Sequence, residues 1–259
     1  MKATPTLLPA LVLIGLLLGW ELLVRGAGIP AYTLPAPSLV LTTLVAHFGS
    51  LAGSWWFTLK ITLGALALAC AGGLLIASVF ALSPATERAL FPLAVVLQVT
   101  PIVAVAPLML IYVQSTTAAL LLCAWIVAFF PILSNTVVGL RAAEPNLRDL
   151  FRLYRATPAQ RLALLRLPSA LPYFMAGLKV SGGLALIGAV TAEMVAGAAG
   201  RETGLASRIL EASFRTETPK MFAALALLVF TGVLIFALLN LFSRWVLGPW
   251  HASESVHND

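Results

Sequence analysis

Long apolar runs alternate with short polar turns along the whole chain, and one basic segment breaks the pattern. The first run covers residues 3–24, between Lys2 and Arg25, with Glu21 as its only charge. Residues 61–86 carry no charge, and neither do residues 89–140. The second of these is too long for one crossing at 1.5 Å per residue, and Gln114, Ser115, Thr116 and Thr117 divide it. Residues 170–196 and 221–243 supply two more runs. The pattern predicts spans at about 5–24, 56–82, 90–112, 118–140, 170–196 and 221–244, with all of 1–259 forming one membrane domain of the all-α class. A positive start before an apolar run also fits a cleaved signal, but the length of the first run favours an uncleaved helix.

Between the first two spans, Pro30, Pro35 and Pro37 precede a short amphipathic pattern. Ser38 is the expected cap of a helix lying on the membrane surface. Gly64, Gly72 and Gly73 mark the next span as one that neighbours approach closely. In the following run, Gln98, Thr100, Pro101 and Pro107 interrupt the helix. A broken helix lining a translocation pathway and a kinked packing helix both fit that pattern.

The basic segment, residues 141–172, cannot lie in lipid. It holds Arg141, Arg148, Arg152, Arg155, Arg161 and Arg166 against Glu144 and Asp149. Asn146 is the expected cap of a first short helix, on which Leu147, Leu150, Phe151 and Tyr154 make one apolar stripe. Thr157, Pro158 and Gln160 predict a second start with a capping box. Pro168 and Pro172 are expected to end that run. A helical pair with an apolar stripe fits a docking site for a soluble partner, and equally a basic loop at lipid headgroups.

Composition agrees with a polytopic membrane protein: 60% of residues are hydrophobic, 10% are charged and mean hydropathy is +0.99. In such a chain the net charge of +6 is no argument for a nucleic-acid partner. Cys70 and Cys123 sit in apolar runs and read as small core residues. No phosphate-cradling G-x-x-x-x-G-K-[ST] sequence, G-x-S-x-G elbow or H-E-x-x-H pair occurs, and His47, His251 and His257 are far apart. No catalytic, cofactor-binding or metal-ligating residue is therefore expected. Within the fifth span, Lys179 is expected to snorkel to an interface and Glu193 to face a vestibule or the opposite interface. Residues 197–220 form a polar loop in which Arg208 and Glu211 have the spacing of an intrahelical pair.

The basic segment also resembles the cytoplasmic E-A-A-x-x-x-G loop of binding-protein-dependent ABC importer permeases. Asp149, Leu150 and Phe151 stand at the E-A-A positions, Arg155 at the glycine, and Leu167 and Pro168 at the Leu-Pro that follows. Residues 97–112 resemble the matching helix of the same family, and residues 170–194 resemble its branch serving nitrate, sulfonates, taurine and thiamine-pyrimidine precursors. Arg155 departs from the pattern, so the joint between the helices lacks the φ > 0 freedom of glycine.

What the resemblance implies is a six-span permease with a cytoplasmic coupling loop at 141–169. Asp149, Leu150, Phe151, Tyr154, Arg155, Ala156, Leu167 and Pro168 would contact the ATPase, and Gln98, Thr100, Pro101 and Glu193 would serve the pathway. It further implies two permease chains as a homodimer, two copies of a separate ATP-binding subunit, and a periplasmic or lipoprotein binding protein. Lysine and arginine number nine on the side of the loop and six on the other, which puts the loop and both termini in the cytoplasm of a bacterial inner membrane. The alternative class is an ATP-independent carrier or channel. The substrate stays open among nitrate, sulfonates, taurine, pyrimidine precursors and flavins, with a heterocyclic solute favoured because the spans hold few positive charges.

Overall fold

The structure, a computed structural model, describes residues 7–201 and 204–248. Lys2, Glu202, His251 and His257 lie outside the described residues. Helix α1 spans Leu7–Gly26. It is followed by α2, Pro37–Leu82, a single helix of 46 residues. The separate surface helix expected around Ser38 is therefore absent. Pro37 occupies the first turn, where a missing N–H costs nothing, and no further proline occurs until Pro84. Gly49 and Gly53 lower the local propensity without breaking the run. Ser38 does not cap α2; its hydroxyl donates to Glu21 Oε1 at 2.7 Å and its N–H to Glu21 Oε2 at 3.0 Å, tying the end of α1 to the start of α2.

Helices α3, Pro84–Val99, and α4, Ile102–Tyr112, are bent by 98° at Thr100 and Pro101. Proline supplies no N–H and pushes the preceding residue into extended backbone, and Thr100 sits there with φ −71° and ψ 121°. Next come α5, Thr116–Arg141; α6, Pro145–Leu153; and α7, Pro158–Arg161. A π turn, Leu162–Arg166, joins α7 to α8, Leu167–Ala198. Short α9, Leu205–Phe214, precedes α10, Thr218–Leu247. Five segments among the described residues are long and apolar enough to cross a bilayer, and α3 and α4 reach that length only taken together, giving six if the bent pair is one span. Among the described residues there is no strand.

The core sits where α2, α5 and α8 meet. Close approach of α5 and α8 depends on small residues. A β-carbon at Gly177 would stand 2.7 Å from the Pro131 carbonyl oxygen, and one at Gly188 2.9 Å from Ala124 Cα. The Ser181 hydroxyl crosses the same seam to the Ala128 carbonyl at 2.6 Å. Ile132, Leu133 and Phe129 fill the space toward α2. Outward faces stay apolar: Leu11, Leu22, Val229 and Phe236 are all exposed. In water such a surface would drive aggregation; in lipid it is the favourable one.

Candidate functional site

Two sets of residues stand out, at opposite ends of the bundle. The first is the α6–α7 pair. Pro145 starts α6 at its first turn with Glu144 at the N-cap, so Asn146 lies inside the helix rather than capping it. Its side-chain amide donates to Glu144 Oε1 at 3.3 Å. None of α6 is fully buried: Leu147 and Leu150 on it, and Tyr154 at its C-cap, leave much of their apolar surface exposed.

The joint is closed by hydrogen bonds from Arg155 N–H to the Arg152 carbonyl and from Ala156 N–H to the Phe151 carbonyl, both 2.9 Å. That is the Schellman arrangement, which puts one residue in the left-handed region, normally glycine. Arg155 occupies it with φ +51°. The conformation that glycine would take is thus kept, at the steric cost of a β-carbon.

The capping box forms as expected. Gln160 N–H donates to Thr157 Oγ1 at 3.3 Å, and Thr157 N–H to Gln160 Oε1 at 2.8 Å. Pro168 and Pro172 do not end the helix that follows. Pro168 falls in the first turn of α8, and the wider register of the π turn carries the chain into the span. Leu150, Phe151, Tyr154, Ala156, Gln160 and Leu164 line a cavity of about 270 Å³ on the exposed side of the pair. Leu164, 67% exposed, was missed in the sequence because Leu162 and Leu165 claimed the apolar face. Asp149 pairs loosely with Arg152 at 3.6 Å; Leu167 and Pro168 belong to the start of α8, outside that cavity.

At the α3–α4 bend, Gln98 and Pro101 are exposed, whereas the Thr100 hydroxyl turns back to the Val96 carbonyl at 2.7 Å. Glu193 does not join them. It is 0% exposed and faces neither a vestibule nor an interface, because a buried carboxylate must find donors. Its Oε2 accepts from the Thr58 hydroxyl and from Ala206 N–H, each at 3.1 Å, while its backbone carbonyl accepts from the Ser207 hydroxyl at 3.2 Å. Thr58 Oγ1 in turn accepts Leu205 N–H at 2.9 Å. Residues of α8 and α2 therefore cap the N-terminus of α9, where Gly204 has no side chain to do so.

Arg208 donates to Ser54 Oγ at 3.1 Å and to Glu211 Oε2 at 2.7 Å, the pair expected from its spacing. The Arg208 guanidinium, with Arg215 and Lys220 near, holds the Glu211 carboxyl below the usual carboxylate range. Lys179 is half-buried on α8 and makes no hydrogen bond or ion pair among the described residues.

Comparison with known proteins gives a consistent result. The family described as binding-protein-dependent transport system inner membrane component matches residues 69–248. The formylaminopyrimidine transport permease protein ThiX of Halalkalibacterium halodurans is 32% identical over 252 residues, covering 95% of this chain and 96% of its own. The riboflavin transport system permease protein RibX of Chloroflexus aurantiacus is 34% identical, covering 92% and 88%. A probable ABC transporter permease protein of Haemophilus influenzae is 32% identical, covering 86% and 90%. Among solved structures, an amino acid ABC transporter crystallised with histidines shares the fold, with a TM-score of 0.56 at 19% identity over 80% of this chain and 94% of that one.

Proposed function

Because the chain belongs to the family of binding-protein-dependent transport system inner membrane components, and is a multi-pass permease subunit of an ABC importer, we propose that α6 and α7 are the element through which a separate ATPase drives it. The observation that carries this reading is the exposed apolar face of α6. It is held rigid by the Schellman turn at Arg155 and the capping box at Thr157, and it stands beside the cavity that Leu164 completes. A rigid helix with an exposed apolar stripe suits insertion into a groove of a soluble protein. Asp149, Leu150, Phe151, Tyr154, Arg155 and Ala156 make that contact; Leu167 and Pro168 transmit it to α8.

ATP hydrolysis takes place in the partner, since this chain lacks a phosphate-cradling loop. Two copies of the chain enclose the pathway over two ATPases, with both termini in the cytoplasm as the arginine bias favours. Gln98, Thr100 and Pro101 belong to the pathway at the α3–α4 bend. Glu193 serves it indirectly, by fixing α9 on the side that receives the binding protein. The solute is a small nitrogen heterocycle. Two relatives named for a formylaminopyrimidine and for riboflavin support that class, as does the scarcity of fixed cations in the spans.

Affinity purification of the tagged protein from mild detergent, followed by mass identification and an ATPase assay, tests the reading. A co-purifying nucleotide-binding subunit with ATPase activity is expected. A homo-oligomer alone, repeated under crosslinking, would overturn it.

A further inference from the structure

Between the α6–α7 pair and the bundle lies a cavity of about 220 Å³ that the coupling role does not use. A water takes about 30 Å³ of liquid, so the space holds on the order of seven waters, or one phosphate group with a few. Three guanidinium groups reach its rim from three different elements: Arg141 at the end of α5, Arg148 on α6 and Arg166 at the end of the π turn. Glu87 is the one carboxylate there, and it pairs with Arg141. The inner wall is apolar, made of Ala77, Phe80, Val137 and Leu140.

Part of this arrangement has a purely structural use. Arg148 donates to the Ala143 and Arg141 carbonyls at 2.7 and 2.5 Å, and Arg166 to the Ala81 carbonyl at 2.6 Å. Arg141 and Ala81 lie at the ends of α5 and α2, whose last carbonyls need donors, and Ala143 lies in the turn before α6. Each guanidinium has five N–H groups, however, and these bonds use one or two. Arg148 Nη1, Arg166 Nε and Arg166 Nη2 have no partner among the described residues. Capping thus accounts for the inward donors and leaves both the space and a two-charge excess at its rim.

We propose that this cavity binds a phosphate group, the shared chemistry of an anionic lipid headgroup and of free phosphate. Guanidinium forks match phosphate oxygens geometrically, and basic pockets between membrane helices at the lipid–water boundary accept anionic headgroups. An apolar inner wall beside a cationic rim fits an amphiphile. Bound there, the anion bridges α6 to α5 and to the π turn. Only the leaflet that would supply a lipid rests on the proposed orientation; the binding itself does not, and nanodiscs expose both leaflets.

The experiment has two arms, both on the full chain. In nanodiscs of phosphatidylcholine with a minor fraction of phosphatidylglycerol, native mass spectrometry counts the lipid retained after release. In phosphatidylcholine alone, inorganic phosphate is titrated against chloride at equal ionic strength and thermal unfolding is followed. Selective retention of phosphatidylglycerol identifies a headgroup site, and a response to phosphate alone a soluble anion. In the positive arm Arg148→Gln weakens binding about tenfold, the scale of one charge-assisted hydrogen bond. Glu87→Gln, which frees Arg141, tightens it, a sign that fold damage does not produce. No selectivity in either arm overturns the proposal, as does binding indifferent to both substitutions.

Discussion

Thr58 on α2 and Glu193 on α8, 135 positions apart in the chain, share a hydrogen bond of 3.1 Å, and together they receive the first two amide groups of α9. The Thr58 proton is divided between Glu193 Oε2 and the Ser54 carbonyl at 3.2 Å. Gly204 completes the fit: a β-carbon there would overlap the Glu193 carboxylate. Three segments distant in sequence therefore meet at one helix end, and that end is only as firm as their fit.

Gly204→Ala is expected to push the carboxylate off α9 and cost about 1–3 kcal/mol, the range for a buried donor left unpaired. Thermal unfolding in detergent measures the cost, and hydrogen exchange at Leu205 and Ala206 locates it. In the double variant with Glu193→Ala the two losses should fall well short of adding, because the clash is gone. Full additivity would mean that the glycine and the carboxylate do not meet.

Glu193→Gln keeps an acceptor for Ala206 N–H and Thr58, so stability should change by less than about 1 kcal/mol and uptake should stay near wild type. Glu193→Leu leaves Ala206 N–H unpaired, with Thr58 falling back on the Ser54 carbonyl alone, and should lose uptake and stability together. Uptake abolished by the glutamine variant at unchanged stability would instead make Glu193 a direct pathway residue.

Arg155→Gly relieves the left-handed strain, roughly 1 kcal/mol for a residue with a β-carbon, part of which is returned as extra freedom of the unfolded chain. A small rise in melting temperature is expected, with Arg155→Val destabilising because branching at Cβ worsens the same conformation. A fall in melting temperature for the glycine variant would show that the arginine side chain, not the turn, is what matters.

Phe151→Asp places a charge in the apolar face proposed to enter the ATPase. Co-purification of that subunit should drop at least about tenfold, while insertion and the melting of the permease alone stay unchanged, since α6 supports no core. An unchanged yield of complex would count against α6 as the contact.

Glu211 gives α9 a pH dependence in the acid range. Its carboxyl is depressed by the Arg208 hydrogen bond and by the charges of Arg208, Arg215 and Lys220. A depressed carboxyl contributes stability that is present above its ordinary value of 4.5 and lost as pH falls through the lowered one. Amide exchange in α9 should therefore accelerate below about pH 4.5 beyond its intrinsic pH dependence, and Glu211→Gln should remove that change.

Local chemistry was legible in the chain, and long-range chemistry was not. The Thr157–Gln160 box and the Arg208–Glu211 pair are three residues apart, so helical spacing alone places them. The bend at Pro101 follows from proline's missing N–H. Pro168 and Pro172 misled for the same reason that Pro101 informed. A proline stops a helix only where its N–H is needed, and the π turn that removes the need at Pro168 leaves no mark in residue types. The continuity of α2 was hidden by the prolines before it, which drew attention to Ser38 as a cap when its real partner is Glu21. Glu193 was noticed as an intramembrane charge, but Thr58 and Ala206 share no local spacing with it.

The length of α2 gives these separate observations a common mechanical frame. Thr58, which holds α9, and Ala81, whose carbonyl holds Arg166 beside the α6–α7 pair, lie about 35 Å apart on one uninterrupted helix, close to the thickness of the hydrocarbon layer. A rod without a joint does not absorb a rotation along its length. Tilting it at the end where Arg166 is held displaces the opposite end in the reverse sense about any pivot between them. The α9 end and the α6–α7 end of the bundle are thereby joined by a single stiff lever.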